Sequence, residues 1–141
     1  MKKRHKKMLC DLNKIATHFK LKLAKVEVMK TMAFAVDNSN KKFIFIYDRK
    51  QPSFKTIDLQ NVDSCSVKFE YTGLEASELN KTNTYNSIKQ VQLPISHSDP
   101  SKSLNIVFYD IKEDKISDVR QWISKARSWR DTITAQLPIC V

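Results

Sequence analysis

The chain has 141 residues, 41% hydrophobic and 9% aromatic, which is enough to bury a single core and too little for two well-packed ones. Its 25 Lys and Arg against 15 Asp and Glu give a formal net charge of +10, which favours acidic partners such as nucleic acid, anionic lipid or acidic protein. A single glycine excludes the standard glycine-rich phosphate loops, dinucleotide-binding turns and the G-x-S-x-G nucleophile elbow.

The positive charge is concentrated at the N-terminus. Residues 1–30 contain ten Lys and Arg against two acidic residues, a net charge of +8, and the remainder of the chain carries only +2. We therefore interpret residues 1–30 as a basic N-terminal segment and residues 31–141 as one folded unit. The charged start of this segment consists of Lys2, Lys3, Arg4, Lys6 and Lys7.

No apolar run follows this basic start, so a secretory signal is not predicted. Three scattered cysteines without paired spacing argue against a disulfide framework and favour a reducing compartment. We expect a cytoplasmic protein, with the inner face of a membrane as an alternative location. A KKRHKK sequence is also typical of the cytoplasmic side of a membrane span, and would be juxtamembrane if a span preceded it.

The first predicted element is an amphipathic helix over residues 9–22. Leu9, Leu12, Ala16 and Phe19 recur at steps of three and four, and lysines gather on another face. Such a helix covers the protein's own core, pairs with a partner helix or lies in a membrane interface. Residues 25–30 fit a helix or a strand and stay open.

From residue 31 the pattern changes to strands separated by polar turns. Alternating apolar residues predict a hairpin of strands 32–36 and 42–47, followed by strands 54–59 and 65–71 in an antiparallel meander. Residues 73–86 are predicted as a long loop. A fifth strand is expected over 88–94, ending near Pro94, and a sixth over 104–109.

The clearest helix is the last element. Apolar residues from Ile116 to Ile133 form one stripe, with Asp114 and Asp118 near its start as the helix dipole prefers, and Pro138 ends it. Trp122 and Trp129 lie on this stripe, so we interpret them as core residues in preference to an aromatic platform for a base.

Antiparallel strands closed by a tryptophan-bearing C-terminal helix resemble the pleckstrin-homology-like (PH-like) superfold of bacterial type. The resemblance extends over about residues 33–135 and depends on the hairpin at 34–46 and on the Trp122/Trp129 helix. It implies an α+β, mainly β fold, with a partly open antiparallel barrel of about six or seven strands, a C-terminal helical cap and an additional basic N-terminal helix.

The same resemblance directs attention to basic residues around the first hairpin. Lys30, Lys41 and Lys42 lie in this region, and Arg49 and Lys50 lie in the next loop. The basic-x-Arg triplet of phosphoinositide-binding members is missing, because two apolar residues follow Lys42. Generic anion attraction is therefore expected instead of specific inositol phosphate recognition.

Reactive side chains form no recognised catalytic motif, and no catalytic residue, cofactor or metal ion is predicted. Cys65 with His97 is the only conceivable nucleophilic pair, and such an isolated pair is usually structural. Asp110, Glu113 and Asp114 are better explained as serving the N-terminus of the last helix than as cation ligands.

These observations favour a non-enzymatic binding or scaffold module over an enzyme with a non-standard site. The expected partner is an acidic protein or an anionic membrane surface, and nucleic acid is the alternative. The sequence does not indicate an oligomeric state. The predicted anion-binding residues are Lys2, Lys3, Arg4, Lys6, Lys7, Lys41, Lys42, Arg49 and Lys50.

Overall fold

A computed structural model describes residues 3–47, 53–71 and 87–137, with Lys3 and Arg4 described by their backbone alone. The protein is α+β and mainly β, as predicted, and the described strands form two antiparallel sheets without a closed barrel. It divides into two compact units, one within Met1–Gln60 and one at Asn61–Leu137. The elements are α1 Lys3–His18, β1 Lys25–Met29, β2 Met32–Asp37, β3 Lys42–Tyr47, β4 Ser53–Asp58, β5 Val62–Cys65, β6 Lys68–Tyr71, β7 Ile88–His97, β8 Leu104–Asp110 and α2 Val119–Thr134.

The first unit is a four-stranded meander in the order β1-β2-β3-β4. β1 and β2 pair across the predicted boundary at residue 30, with Met29 opposite Met32. One sheet face carries small and aliphatic residues, and on β2 and β3 the other face carries stacked Phe rings. β2 is buried along its whole length, and only the two ends of β3 are half-buried.

Helix α1 packs on the aliphatic face of this sheet. Met8 and Leu12 are fully buried against Ala33, Ala35 and Ile44, and the two alanines let the helix approach the strands closely. The sequence therefore identified the buried stripe, and core packing is the correct alternative for this helix.

The predicted bounds of α1 were wrong at both ends, since the helix begins at Lys3 and ends at His18. Lys20 takes a left-handed φ of 57°, and the Leu21 amide donates to the Ala16 carbonyl at 2.7 Å. These are the features of a Schellman motif, which ends a helix. The termination leaves the next residues free to form β1, so the open choice over 25–30 is settled as a strand.

The second unit is built around the long strand β7. β5 pairs with one end of β7 and β6 with the other, and β8 pairs with β7 alongside both. Since each strand has two edges, β5 and β6 share the edge opposite β8. The second sheet is thus three strand positions wide.

The prediction that the fifth strand ends near Pro94 was wrong, because β7 continues to His97. Proline lacks an amide hydrogen and is disfavoured inside a sheet. Here the residues opposite it are Ser66 and Val67, in the gap between β5 and β6, where the missing N–H is not needed. The Pro94 carbonyl still accepts a 3.4 Å hydrogen bond from the Ser66 amide.

Helix α2 packs on β5, β7 and β8 through the predicted apolar stripe. It begins at Val119, after a 3-10 turn over Ile116–Asp118. Asp118 occupies the N-cap position but makes no capping hydrogen bond through its side chain. Trp129 is fully buried, in agreement with a core role, and Trp122 is half-buried. Pro138 lies outside the described residues.

Candidate functional site

The most distinctive surface feature is the outer face of α1. Lys6, Lys7 and Lys14 are exposed on it, while the opposite side of the helix is buried in the sheet. Lys3 and Arg4 belong to the same helix, and Lys2 lies outside the described residues. We call the exposed side of α1, defined by Lys6, Lys7 and Lys14, the basic face. It belongs to a packed helix, so at these positions the predicted alternative of a flexible tail is not what the chain forms.

Both ends of α1 are tied to the first sheet by specific hydrogen bonds. At the N-terminal end, His5 Nε2 lies 3.2 Å from the carbonyl oxygen of Lys30, in the turn between β1 and β2. At the C-terminal end, the Lys22 amide donates to Asp37 Oδ2 at 2.8 Å, which links the segment after α1 to the end of β2. The basic face is therefore held in a defined orientation on the sheet.

Asp37 is the most heavily used side chain at this end of the sheet. Its Oδ1 accepts from the amides of Ser39 at 2.8 Å and Asn40 at 3.0 Å, and its Oδ2 accepts from Lys22 and from Asn40 Nδ2. Burial by itself raises the pKa of this carboxyl, but the four hydrogen bonds outweigh it and leave the pKa below its usual range. Asp37 is therefore a charged structural group.

The predicted hairpin lysines lie far from the N-terminal end of the basic face. Lys41 and Lys42 follow the Asp37 turn, and Lys6 and Lys7 lie near the other end of the sheet. A 16-residue helix spans about 24 Å between these ends. The structure therefore does not bring these two groups together, and Arg49 and Lys50 lie outside the described residues.

Lys42 is also partly neutralised. Its Nζ lies 3.1 Å from Asp58 Oδ2, its cross-strand neighbour on β4. Lys41 is half-buried with a left-handed φ of 53°, and its carbonyl accepts a hydrogen bond from the Leu59 amide. Both lysines thus contribute to the hairpin itself, which weakens their case as a free anion site.

The Cys65 and His97 side chains do not form a nucleophilic pair. Burial raises the pKa of the Cys65 thiol to about 12, against a smaller opposing effect of Arg130, whereas a nucleophile needs a lowered value. His97 is buried and accepts a hydrogen bond from the Asp99 amide on Nδ1 at 2.9 Å. No hydrogen bond joins the two side chains, and each is explained by its place in the second sheet.

The acidic residues after β8 serve a turn, so their predicted role at the helix N-terminus was wrong. Asp110 accepts from the Lys112 amide and from Gln90 Nε2, and Asp114 accepts from the Asp110 amide at 2.8 Å. These hydrogen bonds lower the pKa of Asp110. In the described ranges no three His, Cys, Asp or Glu side chains converge as metal ligands.

Two features near the basic face were missed by the sequence analysis. The Asp37 cluster had a signal, because Asp followed by Ser and Asn is typical of an Asx turn. The exposed Phe54 on β4 had none, since alternation alone does not show which strand a helix covers.

Comparison of the chain with protein-family models, curated proteins and solved structures yields no significant match. Among the helices of the described segments, none has the length and apolar character needed to cross a membrane. Any functional conclusion therefore depends on the geometry of the chain itself.

Proposed function

We propose that the protein is a non-enzymatic, PH-like binding module that presents the basic face of α1 to an acidic protein surface. The single observation that carries the proposal is the division of α1 into a buried apolar stripe and an exposed cationic side. Met8 and Leu12 have no exposed area, whereas Lys6, Lys7 and Lys14 point outward. A rigid row of cations favours complementary acidic partners.

The order of elements supports the PH-like part of the proposal. Four strand positions in the first sheet and three in the second make seven, the number that the resemblance implies, and an amphipathic helix follows them. Because superfolds host many functions, this argument concerns architecture alone.

An acidic protein is favoured over a membrane for a physical reason. Helices that lie in a membrane interface bury their apolar side in lipid, and in α1 that side is already packed on the sheet. Only the weaker electrostatic attraction would remain for a vesicle surface.

Nucleic acid is disfavoured by the surroundings of the basic face. Single-stranded nucleic acids are commonly bound by aromatic side chains on which bases stack. Trp129 is fully buried, and the half-exposed Phe19 makes an edge contact with His18, with ring centroids 4.9 Å apart. Asp11 also interrupts the positive row on α1.

The test compares three probes against the full chain at low and high salt: a glutamate-rich peptide, phosphatidylserine-containing vesicles and a random DNA duplex. We expect the peptide to bind at low salt, with affinity falling as salt screens the charges. Charge reversal at Lys6, Lys7 and Lys14 to Glu should weaken this binding by about tenfold or more.

The matched control reverses three exposed lysines of the second unit, Lys68, Lys89 and Lys102, which alters the net charge equally. Equal losses in both triple variants would mean that net charge alone attracts the peptide, and would overturn the α1 site. Tighter binding to vesicles or duplex than to the peptide would overturn the choice of partner.

A further inference from the structure

A groove beside α1 is the most informative surface that the basic face leaves unexplained. It lies between α1 and β4 on the aliphatic face of the first sheet and has a volume of about 220 Å³. Its lining is mainly apolar and consists of Asp11, Lys14, Ile15, Ile46, Ser53 and Phe54. We call it the α1–β4 groove.

The groove follows from the widths of a helix and a sheet. Strands are spaced about 4.8 Å apart, and a helix with its side chains is about 10 Å wide, so one helix covers roughly two of four strands. The cross-strand row under α1 runs from Val28 through Ala33 and Ile46 to Phe54. Its first three members pack in the core below the helix, and Phe54 is 50% exposed.

Strand β4 is accessible along most of its length. Residues 53–56 are all exposed, although the adjacent strand β3 is buried except at its ends. β4 is the last strand of the first sheet and pairs only with β3 among the described strands. An exposed edge beside an apolar groove is a typical docking surface for a peptide.

Size and charge together select the occupant. A volume of 220 Å³ is below the roughly 300 Å³ of common small-molecule pockets, and it suits one large apolar side chain of a peptide. Lys7, Asp11 and Lys14 follow one another at steps of four and three along the groove side of α1, which gives this flank an excess of positive charge. A second copy of the chain is disfavoured, because each copy has a net charge of +10.

We infer that the α1–β4 groove binds an acidic peptide segment of a partner protein, by taking one bulky apolar side chain against Ile15, Ile46 and Phe54. Acidic residues next to that anchor pair with Lys7 and Lys14. The inference rests on the proposed function, since it uses the same basic face, and it adds the part of the site that confers specificity. Charged residues attract the segment, and the apolar anchor selects which acidic segments stay bound.

The experiment uses the full chain and two glutamate-rich peptides that differ at one position, Trp in one and Ala in the other. We expect the Trp peptide to bind about tenfold or more tightly than the Ala peptide, as burial of a large apolar side chain predicts. In the Phe54→Ser variant this difference should vanish, while binding of the Ala peptide stays unchanged. Phe19→Ser, which removes a ring of similar exposure (47%) outside the groove, is the matched control.

Methyl NMR shifts of Ile15 and Ile46 give a second readout that needs no variant. The Trp peptide should shift both, and the Ala peptide should shift them little. Equal binding of the two peptides, with both lost on charge reversal of α1, would overturn the groove and leave the proposed function intact. Failure of both peptides to bind at low salt would overturn the proposed function and this inference with it. Trp-dependent binding that persists in Phe54→Ser, or that leaves both methyl signals unmoved, would place the anchor elsewhere.

Discussion

The Asp37 carboxylate joins the end of α1 to the first hairpin, and Asp37→Asn should measure the strength of that link. The substitution keeps one oxygen, which can still accept from the Ser39 and Asn40 amides. It replaces Oδ2 with an NH₂ group that faces two donors, the Lys22 amide and Asn40 Nδ2. Two hydrogen bonds to a charged acceptor are thereby lost and two donors are set against a third.

The size of the effect follows from these two contacts. Hydrogen bonds to charged groups contribute about 1.5–3 kcal/mol each, and the low end applies because the Lys22 and Asn40 residues are exposed and reach water. We therefore expect the free energy of unfolding to fall by about 3 kcal/mol at neutral pH. Urea denaturation followed by circular dichroism measures it, and Asp63→Asn, at an exposed aspartate, is the matched control.

The pH dependence provides a separate check. The folded pKa of Asp37 lies below the model value of 3.8, so its stabilisation is fully present above that value and is lost as pH falls through the folded pKa. The stability gap between wild type and Asp37→Asn should thus be constant near neutral pH and narrow below about pH 4. A gap under about 0.5 kcal/mol at pH 7, or one that widens in acid, would refute the role assigned to this carboxylate.

Three further predictions concern the same elements. Lys20→Gly should stabilise the protein by about 0.5–1 kcal/mol in urea titration, because glycine adopts the left-handed C′ position without the steric cost that Lys20 bears, and a loss of stability would contradict the Schellman assignment. Leu12→Ala should destabilise by about 2–4 kcal/mol and speed hydrogen exchange in α1 more than in α2, whereas equal acceleration in both helices would argue against local anchoring. At pH 8, Cys65 should react with iodoacetamide far more slowly than the exposed Cys10 in site-resolved mass spectrometry, and comparable rates would contradict its raised pKa of about 12.

The periodic elements were predictable because their patterns are local. Apolar residues at helical spacing located the buried stripes of both helices, and alternation located the strands of the first sheet. Boundaries were less predictable, as they depend on partners distant in sequence. Pro94 suggested the end of a strand, and only the gap between β5 and β6 on the neighbouring edge explains why β7 continues past it.

The candidate site shows the same division. The sequence located the positive charge in residues 1–30 but grouped Lys6 and Lys7 with Lys41 and Lys42, which the fold separates by the length of α1. It offered no reason to connect Phe54 with Ile15. That connection exists because a single helix covers part of a four-stranded sheet.

The sequence by itself determined the α+β class, the buried faces of the helices and the concentration of charge near the N-terminus, because composition and periodicity depend on neighbouring residues alone. Only the tertiary structure decided that α1 is packed on the sheet, that Asp37 holds its C-terminal end and that an apolar groove borders its basic face. These features arise from contacts between residues far apart in the chain, and no local pattern specifies which distant residues will meet.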